Sequence, residues 1–160
     1  MRRVSMKKIC TALMMLLWIT TSSANDELNA VLDGFHQAAA EANYQRYFDL
    51  LAEDAIFLGT DASERWTKSA FKAFVKPYFS QGKGWLYVAT KRNLSTINDS
   101  NIVFFDELLH SESYGQCRGS GLLIKENNQW KILQYNLSIP LPNHLAKSIV
   151  GQIKASPDKK

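Results

Sequence analysis

Residues 118–139 read RGSGLLIKENNQWKILQYNLSI. Two runs rich in Leu, Ile, Trp and Tyr meet at Asn127 and Asn128, and asparagine tolerates the positive φ that a tight hairpin turn demands. The stretch therefore predicts a two-residue hairpin joining the strands Tyr114–Lys125 and Gln129–Ile139. Working back from it, Trp85–Leu94 and Ile102–Leu109 have the same strand pattern, with polar turns at Asn98–Asn101 and His110–Ser113. Pro140 and Pro142 close the sheet, since proline donates no ladder hydrogen bond. The reading is a meander of four antiparallel strands.

Upstream the periodicity changes. Leu28, Val31, Leu32, Phe35, Ala38, Ala39 and Ala42 recur at helical spacing behind a capping Asp26, and Asn43 ends that helix. Tyr47, Phe48 and Leu51 share one side of a shorter segment, Tyr44–Leu51. Ala55–Leu58 is a brief extended stretch stopped by Gly59. Thr67 or Ser69 opens a third helix with Phe71, Phe74, Val75 and Tyr78 on one face, and Pro77 should kink or end it at Lys76. Asn143 caps a last helix with Leu145, Ile149 and Ile153 on one side, and Lys154–Lys160 reads as a frayed tail. Helices followed by a strand meander make an α+β domain.

The formal net charge of +4 is confined to the first 24 residues. Arg2, Arg3, Lys7 and Lys8 precede an apolar run from Ile9 to Ile19, then small residues up to Ala24. This is the layout of a secretory signal peptide cut after Ala24, with Met1 or Met6 as its start. The apolar run is too short to cross a bilayer as a mature helix, which needs about 20 residues. Beyond Ala24 acidic and basic residues balance, so the mature chain has no nucleic-acid footprint and, once cut, no membrane segment. The expected location is periplasmic or secreted. The domain order is signal peptide 1–24, α+β domain 25–142, and C-terminal helix and tail 143–160. Cys10 lies in the leader, which leaves Cys117 without a disulfide partner and best read as a buried structural thiol.

The run from Asp54 to Asp61 (DAIFLGTD), then Glu64, Arg65 and Trp66, follows two N-terminal helices, and a turn followed by Trp130, Lys131 and Ile132 ends the sheet. Together these resemble the nuclear transport factor 2-like superfamily, in its SnoaL-like branch, over roughly Leu28 to Ser138. The resemblance implies a cone-shaped, curved antiparallel sheet wrapped around the N-terminal helices, with an internal pocket. It also implies a pocket rim near Asp61, Glu64 and Trp66, where Asp61 accepts a bond from a ligand hydroxyl and Trp66 covers it. The competing reading makes the two acids helix N-terminus stabilisers and Trp66 plain core. Members include isomerases, cyclases, dehydratases and non-catalytic binding modules, so the fold alone names no activity.

Centring the turns on Asn127–Asn128 and His110–Ser113 assigns faces. One face carries Ile102, Phe104, Asp106, Cys117, Gly119, Gly121, Leu123, Trp130, Ile132, Gln134 and Asn136; the other carries Val103, Phe105, Glu107, Arg118, Ser120, Leu122, Leu133, Tyr135 and Leu137. On the first, the bare Gly119 and Gly121 leave room for a ligand or a close helix, with Asp106, Gln134 and Asn136 pointing into it. A carboxylate among apolar groups is pushed toward the range useful for proton transfer. Its bland alternative is a hydrogen bond that holds the pocket's shape. The second face is too apolar for water, so either residues 144–153 fold over it or two subunits bury it through Phe105, Arg118, Leu133, Tyr135 and Leu137. Glu107 and Arg118 would form an ion pair there. Trp85, beside Gly82 and Gly84, is placed at the pocket mouth.

His36, His110 and His144 share no ligand spacing with Cys117, so no metal is expected, and no cofactor motif is present; His36 reads as a helix-side hydrogen-bonder. Three functions fit. The first is an exported pocket domain binding a small, largely apolar molecule without catalysis. The second is a ketosteroid-isomerase-like proton-transfer enzyme (isomerase, cyclase or dehydratase) with Asp106 or Asp61 as base. The third is a homodimerising interaction module with an idle pocket.

Overall fold

The computed structural model describes residues 24–97 and 101–156. Apart from Ala24, the leader lies outside them, as does most of the Asn98–Asn101 turn. In chain order the elements are α1 (Ala24–Ala40), α2 (Tyr44–Asp49), β1 (Leu51–Leu58), β2 (Arg65–Thr67), α3 (Lys68–Phe79), β3 (Val88–Thr96), β4 (Ile102–Ser111), β5 (Gly115–Glu126), β6 (Gln129–Ser138) and α4 (Asn143–Ala155). The strands form one curved, unclosed sheet in the order β2-β1-β6-β5-β4-β3. Among the described strands only the β1–β6 pair is parallel. The first three helices cover the concave face, and Leu32, Tyr47, Phe48, Val75, Val103, Leu123 and Ile132 lie fully buried between the layers.

Local chemistry explains the boundaries. Asn127 and Asn128 both adopt positive φ (48° and 62°), giving the expected hairpin. The Thr67 hydroxyl caps α3 by accepting from the Ala70 amide at 3.3 Å. Asn43 does not end α1; it caps α2, accepting from the Arg46 amide at 3.1 Å, after Ala42 has turned the chain at φ 51°. Pro77 neither stops nor shortens α3, which runs on to Phe79. It sits in the last turn, where its missing N–H removes a single bond, and the Ser80 amide still closes onto the Lys76 carbonyl. The strand expected from Trp85 starts only at Val88, because the Trp85 amide is tied to the Ala39 carbonyl at the end of α1. Gly84 is pressed so close to that carbonyl that no side chain fits.

Two small slips in register overturn the face assignment. The β4–β5 turn lies nearer Glu112–Tyr114 than His110–Ser113, with Ser111 opposite Gly115 and Cys117 opposite Leu109 instead of Asp106. An odd displacement exchanges the faces of β4. Val103, Phe105, Glu107, Leu109 and Ser111 therefore point inward and are buried, while Phe104 and Asp106 point out. In β6 a bulge beside Leu133 pairs Leu122 with Gln134 and Leu123 with Ile132, and exchanges the far half of that strand. Tyr135 and Leu137 turn inward, and Gln134 and Asn136 outward. Phe105, Tyr135 and Leu137 thus belong to the inner face and not to a dimer surface; Arg118 and Leu133 stay on the outer one. No residue of α4 is buried, so residues 144–153 do not cover the sheet as one alternative required.

Candidate functional site

The inner face of the sheet carries a charged cluster held by its pleat. Arg92 on β3 and Glu107 on β4 stand directly opposite, and Glu107 faces Gly119 on β5. Above them α1 presents Asn29, Asp33 and His36, spaced to share one helical face. Glu107, with no exposed surface, accepts at Oε1 from His36 Nε2 (2.7 Å) and from the Tyr135 hydroxyl (2.9 Å), and at Oε2 from Arg92 Nε (2.8 Å). Arg92 Nη1 reaches Asp33 (2.9 Å) and Asn29 (3.0 Å). Burial pushes the Glu107 carboxyl up, but His36 and Arg92 outweigh it and hold it below its ordinary range. An ionised carboxylate only accepts, so His36 Nε2 carries hydrogen, and in the neutral ring Nδ1 bears the lone pair. Burial and the Glu107 charge push the Tyr135 phenol far up, which keeps it a donor.

The cluster lies below a cavity. Phe57, Trp66, Phe71, Phe74, Trp85, Tyr87, Tyr114 and Leu137 line a space of about 220 Å³, with Gly59, Thr60 and Glu64 at one side. Four of these residues, Phe57, Trp85, Tyr87 and Leu137, also wall a much smaller inner chamber of about 10 Å³. Its remaining walls are Phe35, His36, Ala39, Tyr47 and Tyr135. Near-parallel rings run from Tyr135 to Phe57 (6° apart), Phe71 (12°), Phe74 (13°) and Trp66 (22°), linking the buried cluster to the rim. A flat apolar body suits such a wall.

The SnoaL-like domain matches residues 28–142. The chain belongs to the SnoaL-like domain family. No curated protein matches it. Among solved structures it is similar to an uncharacterised cystatin-like-fold protein from Caulobacter vibrioides, with TM-score 0.63 and 12% identity over 80% of this chain and 97% of that one. It is also similar to a nuclear transport factor 2-like protein from Cytophaga hutchinsonii, with TM-score 0.61 and 15% identity over 74% and 100%. A third is a Novosphingobium aromaticivorans protein named as a candidate scytalone dehydratase, with TM-score 0.59 and 10% identity over 72% and 83%. At these identities the likeness is one of fold.

Within this SnoaL-like domain the residues singled out from sequence scatter. Trp66 and Trp85 stand in the cavity wall, Trp66 stacked on Phe74 at 5.0 Å. Glu64 lines the same cavity and folds over Gly59, where a Cβ would strike its carboxylate. Asp61 lines neither the cavity nor the chamber; the Ser63 hydroxyl and amide bind its carboxylate (2.6 and 2.8 Å) and hold it below the ordinary range, locking the loop. Asp106 points outward, where Asn93 donates to it at 2.9 Å. Gln134 borders an outer groove with Ile56, Leu58, Leu122 and Leu133, and Asn136 alternates away from the cavity. The bare sites at Gly119 and Gly121 do not hold a ligand: a side chain at Gly119 would meet the Tyr135 hydroxyl, and one at Gly121 the Gln134 carbonyl. Glu107 and Arg118 lie on opposite faces. Cys117 is buried, and burial raises its thiol.

The sequence pattern had placed Glu107 and Tyr135 on the outer sheet face, as an ion-pair partner and a dimer contact, and had given Arg92 no part in the site. The signal was present in part, since Asn29, Asp33 and His36 fall on the same stripe as Leu32 and Phe35. A polar stripe inside an apolar one asks for a buried partner.

Proposed function

We propose that the chain binds a small, largely apolar, flat molecule in the aromatic cavity and transfers a proton on it through His36. One observation carries this reading: the imidazole walls the inner chamber with one nitrogen committed to a buried glutamate. Fixing Nε2–H on Glu107 selects the tautomer whose Nδ1 accepts a proton, and the carboxylate then pairs with the imidazolium that forms. Arg92, held by Asp33 and Asn29, keeps Glu107 ionised and in place. A positioned base of this kind contributes about 10²- to 10⁴-fold in rate. The earlier candidate bases, Asp106 and Asp61, line neither the cavity nor the chamber, so the proton-transfer role moves to His36.

The probe is 5-nitrobenzisoxazole, a flat heteroaromatic whose ring opens to a coloured phenolate once a base removes its single acidic C–H proton. The expected result is saturable turnover that disappears in His36→Gln while the melting curve is kept. Saturable binding without turnover in the wild type would leave a binding domain and remove the catalytic part.

The leader supports export to the periplasm or beyond, with the mature domain beginning at α1. A homodimer is a second reading, and the exposed Phe104 on the outer sheet face favours it (48% accessible). Phe104, Leu122 and Leu133 then replace Phe105, Tyr135 and Leu137 as its apolar contacts.

A further inference from the structure

Tyr47 is fully buried, with its ring stacked on Phe35 at 4.4 Å and edge-on to Phe48, Phe79 and Trp85. Burial pushes its phenol well up, and the nearby Trp85 N–H pulls the other way without offsetting it. Yet no hydrogen bond of ordinary geometry closes on the hydroxyl. Phenylalanine would keep every ring contact and spare the fold an unpaired buried hydroxyl, so packing does not explain a tyrosine here.

The placement of Tyr47 does explain it. The residue walls the inner chamber together with His36 and Tyr135. At about 10 Å³ that chamber is narrow yet large enough for an atom of the size of a water oxygen. The Tyr135 proton is committed to Glu107, and His36 Nε2 is engaged with the same carboxylate. Two walls carry an O–H with no protein partner, Tyr47 and Tyr87; Tyr87 is partly exposed and can bond water, so the buried uncommitted donor is that of Tyr47. We propose that Tyr47 is the donor that fixes the ligand, accepted by one neutral oxygen, hydroxyl or carbonyl, borne on a flat apolar ring. The ring lies in the larger cavity, which adjoins the chamber along Phe57, Trp85, Tyr87 and Leu137. A carboxylate is disfavoured there, because ionised Glu107 stands directly behind His36 and Tyr135.

This inference rests on the cavity being a binding site, and the test separates the two. Calorimetric titration compares 2-naphthol with naphthalene, the same ring body with and without the oxygen, on wild type, Tyr47→Phe and the control Tyr44→Phe. Wild type and the control are expected to prefer the naphthol by about tenfold or more. Tyr47→Phe should lose that preference, keep its affinity for naphthalene, and melt at or above the wild-type temperature. An unchanged preference in Tyr47→Phe overturns the role of Tyr47 and leaves the binding site standing. A lower melting temperature also overturns it, because the hydroxyl would then serve the fold. Failure of wild type to bind either compound overturns this inference and the binding reading together.

Discussion

Gly119 is bare where Tyr135 needs room: a Cβ there would fall on the Tyr135 hydroxyl and stand 2.9 Å from Glu107 Oε1. Both partners of one buried hydrogen bond thus meet over a missing side chain. Gly119→Ala is expected to drive the two apart and to destabilise the fold by about 1–3 kcal/mol, the cost of a buried polar pair left unmade. Urea unfolding of the variant against wild type measures it, and an unchanged midpoint would remove the close approach from the account.

Acid should find Glu107. Its carboxyl titrates lower in the folded chain than the ordinary value of 4.5. The stabilisation it gives is complete above that ordinary value and is lost as pH falls through the depressed folded one. Urea midpoints of wild type are expected to fall below about pH 4.5 more steeply than those of Glu107→Gln. At neutral pH that variant should be less stable by about 1–3 kcal/mol, because the buried charge-assisted bond is lost and Arg92 keeps Asp33 alone as its counter-charge.

Alkali acts on the tyrosines with the opposite sign. Burial raises Tyr47 and Tyr135 well above the ordinary value and takes Tyr87 to about 12. The protonated phenols stabilise the fold below their unfolded pKa, and that contribution is lost as pH rises beyond it. Absorbance titration should show Tyr47→Phe and Tyr135→Phe each removing amplitude from the step that accompanies unfolding, not from the reversible phase before it.

Asp106→Asn is expected to leave stability within about 0.5 kcal/mol and any His36-dependent turnover intact, because the carboxylate faces solvent beside Asn93. Loss of turnover in this variant with folding preserved would return the catalytic role to Asp106.

Phe104→Glu should shift a homodimer to monomer in sedimentation equilibrium without changing the melting temperature of the monomer. Unchanged mass for both proteins would dismiss the outer face as a pairing surface.

The fold was legible because it rests on features several residues long. The helical spacing from Leu28 to Ala39, the Thr67 cap and the Asn127–Asn128 turn each act within one or two turns of chain, and each stands where expected. The site was less legible because a strand's faces depend on parity. Moving the centre of the β4–β5 turn to Ser113 exchanged Asp106 for Glu107, and the extra residue beside Leu133 exchanged Gln134 for Tyr135. Neither slip alters the hydrophobic character of a segment, so composition gives no warning. β2 escaped notice for another reason: three residues, Arg65 to Thr67, are too few for alternation to register. Trp66 and Trp85 reached the cavity wall because bulky aromatics beside a turn have few other places to go.

The parallel contact between β1 and β6 has a consequence for how the molecule comes into being. Phe57 pairs beside Tyr135 and Leu58 beside Asn136, so one of the earliest strands made is completed by the last. A chain emerging amino end first, from a ribosome or a translocation pore, presents its helices and β1 long before that partner exists. Long-range pairing of this kind delays folding until nearly the whole length is free. Nascent chains ending before Gln129 should therefore stay sensitive to protease, and those extending past Ser138 should resist it. A polypeptide that is slow to close in this way remains threadable for as long as it is being delivered.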